Sequence, residues 1–179
     1  AGGGIGEAVA LGMAEAGADV SVADIDMARA EAVVSLAEAH GVKAYAMQAD
    51  CGDLKQIDAM IEGAVSNMGR LDVIVNNAGV TRNAMTYVAA HQLGPKNINV
   101  NAICPGVTFT DLVDKLIEDR AEEQGRTVPE MREIFERPIP IRRGNDPSDV
   151  AALAVFLASP GARNITGQGY NVDGGLINS

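Results

Sequence analysis

A chain of 179 residues is long enough for one domain with a substantial core. With 47% apolar, 21% charged and only 3% aromatic residues, that core must be Val, Ile, Leu, Ala and Met, the filling of helices packed on a parallel sheet. A net charge of −10, with ERPIPIRR (136–143) as the densest basic spot, excludes a phosphate-meeting nucleic-acid face and an anionic membrane surface, and no apolar run nears the roughly 20 residues that span a bilayer.

The predicted elements alternate between helix and strand. The opening AGGGIGEAVA is a glycine turn running into a helix, with Ile5, Ala8, Val9 and Met13 at helical spacing and Gly17 as its stop. DVSVA (19–23) is a short β-branched strand. Asp26 caps a helix carrying Val33, Leu36 and Ala37, which ends at Gly41. AYAMQA (44–49) reads as strand. Asp53 caps a third helix with Ile57, Met60, Ile61, Ala64 and Met68 on one face, closed by Gly69. LDVIVNN (71–77) reads as another buried strand, and NINVNAIC (97–104) as the next. Residues 111–136 are charged and helical in two pieces. Asp146 caps a helix with Pro147 at its first position, Asp149 in its first turn and a stripe of Val150, Leu153, Ala154 and Leu157, ended by Pro160 and Gly161. QGYNV (168–172) is the last strand. This alternation predicts an α/β fold: a Rossmann-like, doubly wound parallel sheet in three α/β/α layers, forming one domain over 1–179.

Several stretches carry chemistry. Small residues in the opening turn let backbone approach a pyrophosphate, and the helix behind it offers free N–H groups and a positive dipole end; a plain tight turn has the same pattern. Asp24 lies 20 residues after Gly4, at a strand end, where a carboxylate can accept from ribose hydroxyls and would repel a 2′-phosphate, so it favours NAD over NADP. A solvated strand-end Asp is the plainer alternative. Cys51 and Cys104 read as small buried hydrophobes, and with His40 and His91 they show no metal-ligand spacing, so no metal is expected.

In combination these stretches resemble the short-chain dehydrogenase/reductase family. Gly4-Ile5-Gly6 matches the end of that family's T-G-x-x-x-G-x-G turn; its opening Thr-Gly, and the strand before it, are not in the chain. Asp50-Cys51 sits where the family holds the adenine edge, Asn76-Asn77-Ala78-Gly79 matches its N-N-A-G motif, Asn101 to Gly106 its Pro-Gly turn, and ITGQGYNVDGG (165–175) its closing strand. The resemblance implies NAD as cofactor, held by Gly4, Ile5, Gly6, Asp24, Asp50, Cys51, Asn77, Gly79, Pro105, Gly106, Thr108 and Thr110. Asn77 and Gly79 would line the adenosine side. Thr108 and Thr110 would meet the nicotinamide carboxamide, Thr108 chiefly through its backbone. It also implies a cytoplasmic homotetramer and a helical substrate lid over about 108–143, where Arg142 and Arg143 neutralise an anionic substrate or form surface ion pairs.

The family's catalytic Ser and Tyr-x-x-x-Lys pair have no place here. Tyr87 lacks the Lys, and MTYVAAHQLGP (85–95) instead matches the second half of the Tyr-Lys helix. A segment of roughly 60 residues, two βαβ units' worth, is therefore expected to be absent between Ala84 and Met85, taking a strand with it. The expected function is an NAD-dependent oxidoreductase moving a hydride between nicotinamide and a small alcohol or carbonyl compound (polyol, sugar or hydroxy acid). The alternative is a non-catalytic NAD(H)-binding relative or fragment.

Overall fold

The computed structural model describes residues 1–50, 53–75 and 83–177. They fall into two compact units, Ala1–Val80 and Thr81–Ser179.

In the first unit, β1 (Val20–Asp24) and β2 (Ala44–Gln48) pair in parallel, with Val20 opposite Ala44 and Asp24 opposite Gln48. Parallel neighbours need a crossover, and α2 (Met27–Glu38) supplies it. Its start is fixed by the Asp26 carboxylate, which accepts from the N–H groups of Ala28 (3.0 Å) and Arg29 (3.4 Å), as the sequence implies. The core is made by small and β-branched residues: Ala14 of α1 (Gly4–Glu15), Val20 and Val22 of β1, and Ala30, Val33 and Ala37 of α2. α3 (Leu54–Met68) begins at its Asp53 cap, which accepts from Lys55 N–H at 2.9 Å. It ends at Gly69, whose φ of 82° is the left-handed conformation that closes helices.

The buried strand expected over 71–77 does not form in the part described. Residues 71–75 join no ladder, and Leu71, Val73, Ile74 and Val75 are 40%, 45%, 55% and 48% exposed. The composition is that of a strand, but a strand also needs a neighbour to take its N–H and C=O groups. Among the described residues β1 and β2 pair only with each other. Asn76 and Asn77 lie outside the described residues.

In the second unit, α4 (Asn83–Leu93) runs without a break across Ala84–Met85 and ends in a 3-10 turn, Gly94–Lys96. β3 (Ala102–Pro105) pairs in parallel with β4 (Gly169–Val172). The strand expected from 97 starts only at Ala102. Asn97 closes the 3-10 turn with φ 60°, and side-chain amides do the tying before the ladder begins: Asn99 Nδ2 donates to Arg163 C=O (3.1 Å) and Asn101 Nδ2 to Ile165 C=O (2.8 Å). From β3 the chain enters α5 (Asp111–Glu123) and α6 (Val128–Glu136), then α7 (Pro147–Ala158). The Thr127/Glu130 and Asp146/Asp149 pairs form reciprocal capping boxes on α6 and α7.

The expected lid is a helical pair with its own small core. Ile117, Ala121 and Met131 are buried, with Phe109, Val113 and Phe135 packed on them. The Arg132 guanidinium lies 3.6 Å from the Phe109 ring centroid and 3.7 Å from Asp114 Oδ1. The Arg120 guanidinium likewise lies 5.5 Å from the Phe135 ring centroid, so the helices hold together by this cluster. Met131→Ala should therefore destabilise the pair by about 2–5 kcal/mol. Hydrogen exchange would show faster exchange over 111–136 and unchanged protection in β1 and β2.

Candidate functional site

Two glycines of the opening turn pack against α2. At Gly2, an added Cβ would lie 2.5 Å from Arg29 Cβ, and at Gly3 it would run into the Arg29 guanidinium. Space at these two positions is taken up by α2. Arg29 Nε also donates to Gly2 C=O at 3.1 Å. Gly4, with φ 58°, is the position where the backbone itself demands glycine, and Gly6 is buried one turn into α1. No side chain caps α1, so its leading N–H groups and positive dipole end remain the donor set that suits a phosphate.

Asp24 ends β1 against this turn. Its Oδ2 accepts from Gly2 N–H (2.7 Å) and from the Ala1 amino group (2.9 Å), and its Oδ1 from Asp26 N–H (3.0 Å). Partial burial alone would raise its pKa. The hydrogen bonds that it accepts from the Asp26 and Gly2 N–H groups favour the charged form and hold the carboxyl below the usual range. Asp24 is thus ionised, one-fifth exposed, and tied to the turn it was expected to serve. Asp50 follows β2 at the same carboxyl end and is exposed, its N–H donating to Gln56 Oε1 at 2.9 Å. Cys51, Asn77 and Gly79 lie outside the described residues.

In the second unit, Pro105 ends β3, and Gly106 donates to Val172 C=O at 2.9 Å. A Cβ on Gly106 would lie 2.7 Å from Asp173 Cβ, so only glycine allows that approach. Thr108 pairs with Asn145 in a parallel bridge: Asn145 N–H donates to Val107 C=O (2.7 Å) and Phe109 N–H to Asn145 C=O (2.9 Å). Backbone groups alternate in direction along an extended chain. The N–H and C=O of Thr108 itself therefore point away from the bridge, and among the described residues neither has a hydrogen-bond partner. One donor beside one acceptor is the complement of a primary carboxamide. The Thr108 side chain is committed elsewhere, donating to Gly106 C=O at 3.2 Å. Thr110 precedes α5 as its cap position without a side-chain cap bond.

Arg143 forms an exposed ion pair with Asp149 at 3.8 Å, and Arg142 donates to Arg137 C=O. Tyr87 is 60% exposed and meets His91 edge-to-face at 4.4 Å, beside a cleft of about 170 Å³ that Thr166, Gly167 and Gln168 also line. No Tyr in the chain is followed four residues later by Lys. Cys104 is partly rather than fully buried. Among the described residues no three acidic, His or Cys side chains gather as metal ligands, and no helix is long and apolar enough to cross a membrane. Sequence reasoning missed Arg29, Asn145 and the buried Asp173, whose carboxylate accepts from Gly175 and Ile177 N–H at 2.9 Å each. The only signal for Arg29 was its place five residues after Asp24, one turn into a capped helix.

Comparison with known proteins now places the chain. Residues 1–89 match the family model described as short chain dehydrogenase, and residues 81–177 the model described as enoyl-(acyl carrier protein) reductase. The chain belongs to the short-chain dehydrogenase/reductase family and has its Rossmann-like α/β fold, an oxidoreductase family served by nicotinamide cofactors. It is 29% identical to the 3-oxoacyl-acyl-carrier-protein reductase FabG of Staphylococcus aureus (97% of this chain, 94% of the relative). It is 28% identical to the 7alpha-hydroxysteroid dehydrogenase of Escherichia coli (99% and 91%). Among solved structures it is similar to L-sorbose reductase from Gluconobacter frateurii complexed with NADPH and L-sorbose (22% identity, TM-score 0.93, 99% and 94% covered). It is also similar to a 7 alpha-hydroxysteroid dehydrogenase complexed with NADH and 7-oxo glycochenodeoxycholic acid (26%, 0.86, 99% and 92%). The FabG alignment spans 241 positions against 179 residues in the whole chain, so at least 62 of them have no counterpart here.

The folded-state pKa of Asp24 lies below its ordinary 3.8. The unfolded chain thus binds the proton first as pH falls, and the stability Asp24 contributes is full above about pH 4 and lost below it. Asp24→Asn should lower stability at neutral pH and flatten the acid limb of a urea-denaturation series between pH 5 and the lowest pH at which the protein stays folded.

Proposed function

We propose that the protein binds NAD(H) and derives from an oxidoreductase that moves a hydride between nicotinamide and a small alcohol or carbonyl compound, of the polyol, sugar or hydroxy-acid class. The observation that carries the NAD preference is the ionised Asp24 carboxylate fixed against the glycine turn, where a 2′-phosphate would meet a negative charge. In this reading the first turn of α1 takes the pyrophosphate. Asp24 takes the adenosine ribose, with Asp50, Cys51, Asn77 and Gly79 around the adenosine. Pro105, Gly106, Thr108 and Thr110 take the nicotinamide end.

When bound, the cofactor supplies the hydride-carrying C4 of its nicotinamide ring. The chain's own residues bind it and orient it. The proton-transferring Ser, Tyr and Lys belong to the segment of about 60 residues (two βαβ units) assigned to the Ala84–Met85 junction. The 62 or more unmatched positions of the FabG alignment, and the change of matching family model at residues 81–89, support that assignment. The chain as it stands therefore binds without turning over.

A second reading, NADP(H), is favoured by one observation: the exposed Arg29 cation lies over the same turn. Fluorescence titration with NADH and NADPH separates the two. On the NAD reading, Asp24→Ala weakens NADH by about tenfold or more, from loss of hydrogen bonds to a charged group, with little change for NADPH. Equal loss of both removes Asp24 from a ribose role. If Arg29→Ala instead weakens NADPH selectively, the second reading holds.

A further inference from the structure

Asn145 is one of four buried polar side chains among the described residues, only 5% exposed, and no role for it follows from the motifs. It stands where three segments meet. Its backbone holds Val107 and Phe109 on either side of Thr108. Its side-chain Nδ2 donates to Thr108 Oγ1 at 3.4 Å and to Val172 C=O at the end of β4. The residues on its flanks belong to the lid and to α7. A Cβ on Gly144 would collide with the Phe109 ring, which carries the Arg132 guanidinium of α6, and Asp146 caps α7. The helical lid thus leaves at Phe109 and returns at Gly144 through a neck whose one buried side-chain amide is that of Asn145.

We infer that Asn145 is a positioning residue for the nicotinamide end of the cofactor: its buried amide locks Thr108 between the lid base and β4, so that the Thr108 N–H and C=O stay aimed at a ligand carboxamide. The inference rests on the cofactor reading above. Its physical basis is directional. The two backbone bonds of the bridge fix which way Thr108 faces, but a two-bond ladder with no further neighbours can twist. The Asn145 amide bonds Thr108 from the side and anchors it to β4, removing that freedom. Leu has nearly the shape of Asn but no donor. Asp would set a carboxylate oxygen against the Val172 carbonyl. Either change leaves the backbone bonds of the neck in place.

The test compares NADH with ADP-ribose, which lacks the nicotinamide ring, by calorimetric titration of the whole chain. Asn145→Leu should raise the Kd for NADH about tenfold, the worth of one well-aimed hydrogen-bonding group, and leave that for ADP-ribose within about twofold. Thr108→Val, which removes the Oγ1 that the amide holds and keeps both backbone groups, should likewise weaken NADH and spare ADP-ribose. Equal losses for the two ligands, or an unchanged Kd for NADH, overturn the inference. If Asn145→Leu does not fold, Asn145→Ser, with a donor of shorter reach, is read by the same two ligands. Wild-type protein that binds ADP-ribose as tightly as NADH refutes the role of Thr108 and Asn145 while leaving the adenosine end standing. Wild-type protein that binds neither refutes the cofactor reading itself.

Discussion

Every ladder among the described residues is parallel: β1 with β2, β3 with β4, and the single bridge of Thr108 with Asn145. Parallel pairing cannot be closed by a tight turn, so each pair forces the chain to cross back through helices before the next strand can align. β1 and β2 enclose α2; β3 and β4 enclose the α5–α6 pair and α7. This constraint puts the carboxyl ends of paired strands side by side and leaves the connecting turns there free to carry chemistry. Asp24, Asp50, Gly106 and Thr108 all stand just at or beyond such ends.

The two strand ends solve a similar problem with different groups. In the first unit an ionised carboxylate gathers N–H donors from the glycine turn and from the start of α2, and Arg29 closes the turn from outside through Gly2 C=O. Charge-assisted bonds of this kind are stronger than neutral ones and direct the turn with few atoms. In the second unit a neutral buried amide does the gathering, and glycine at 106 permits the close approach of Asp173. A neutral donor can be buried at 5% exposure without the desolvation cost of a charge. Asp24, one-fifth exposed, keeps enough solvent contact to stay ionised.

Features decided locally were legible in the sequence. Asp26, Asp53 and Asp146 cap the helices expected of them because a cap needs only the next two or three N–H groups, and Gly69 ends α3 because only its own φ matters. Features decided by partners were not. LDVIV has the residues of a buried strand yet stays exposed, since strand formation depends on a neighbour that no local pattern specifies. Residues 97–101 likewise wait for Thr166 and Gly167 before the ladder starts, with Val100 N–H donating to Thr166 Oγ1 at 3.0 Å. Glycine at positions 2 and 3 is required by the approach of Arg29, 26 or more residues away, which no local pattern shows. Asn145 was hidden by its neighbour: the Asp-Pro cap signal at 146–147 is strong enough to make the preceding Asn look like turn filler.

The central claim is that the glycine turn and the Asp24 carboxylate of the first unit hold the adenosine half of a dinucleotide. Hydrogen exchange with and without saturating NADH measures this directly. The account predicts slowed exchange at the first turn of α1 and at the end of β1, with the outer faces of α5 and α6 unchanged. Unchanged exchange at the first turn of α1 under saturating NADH would contradict it.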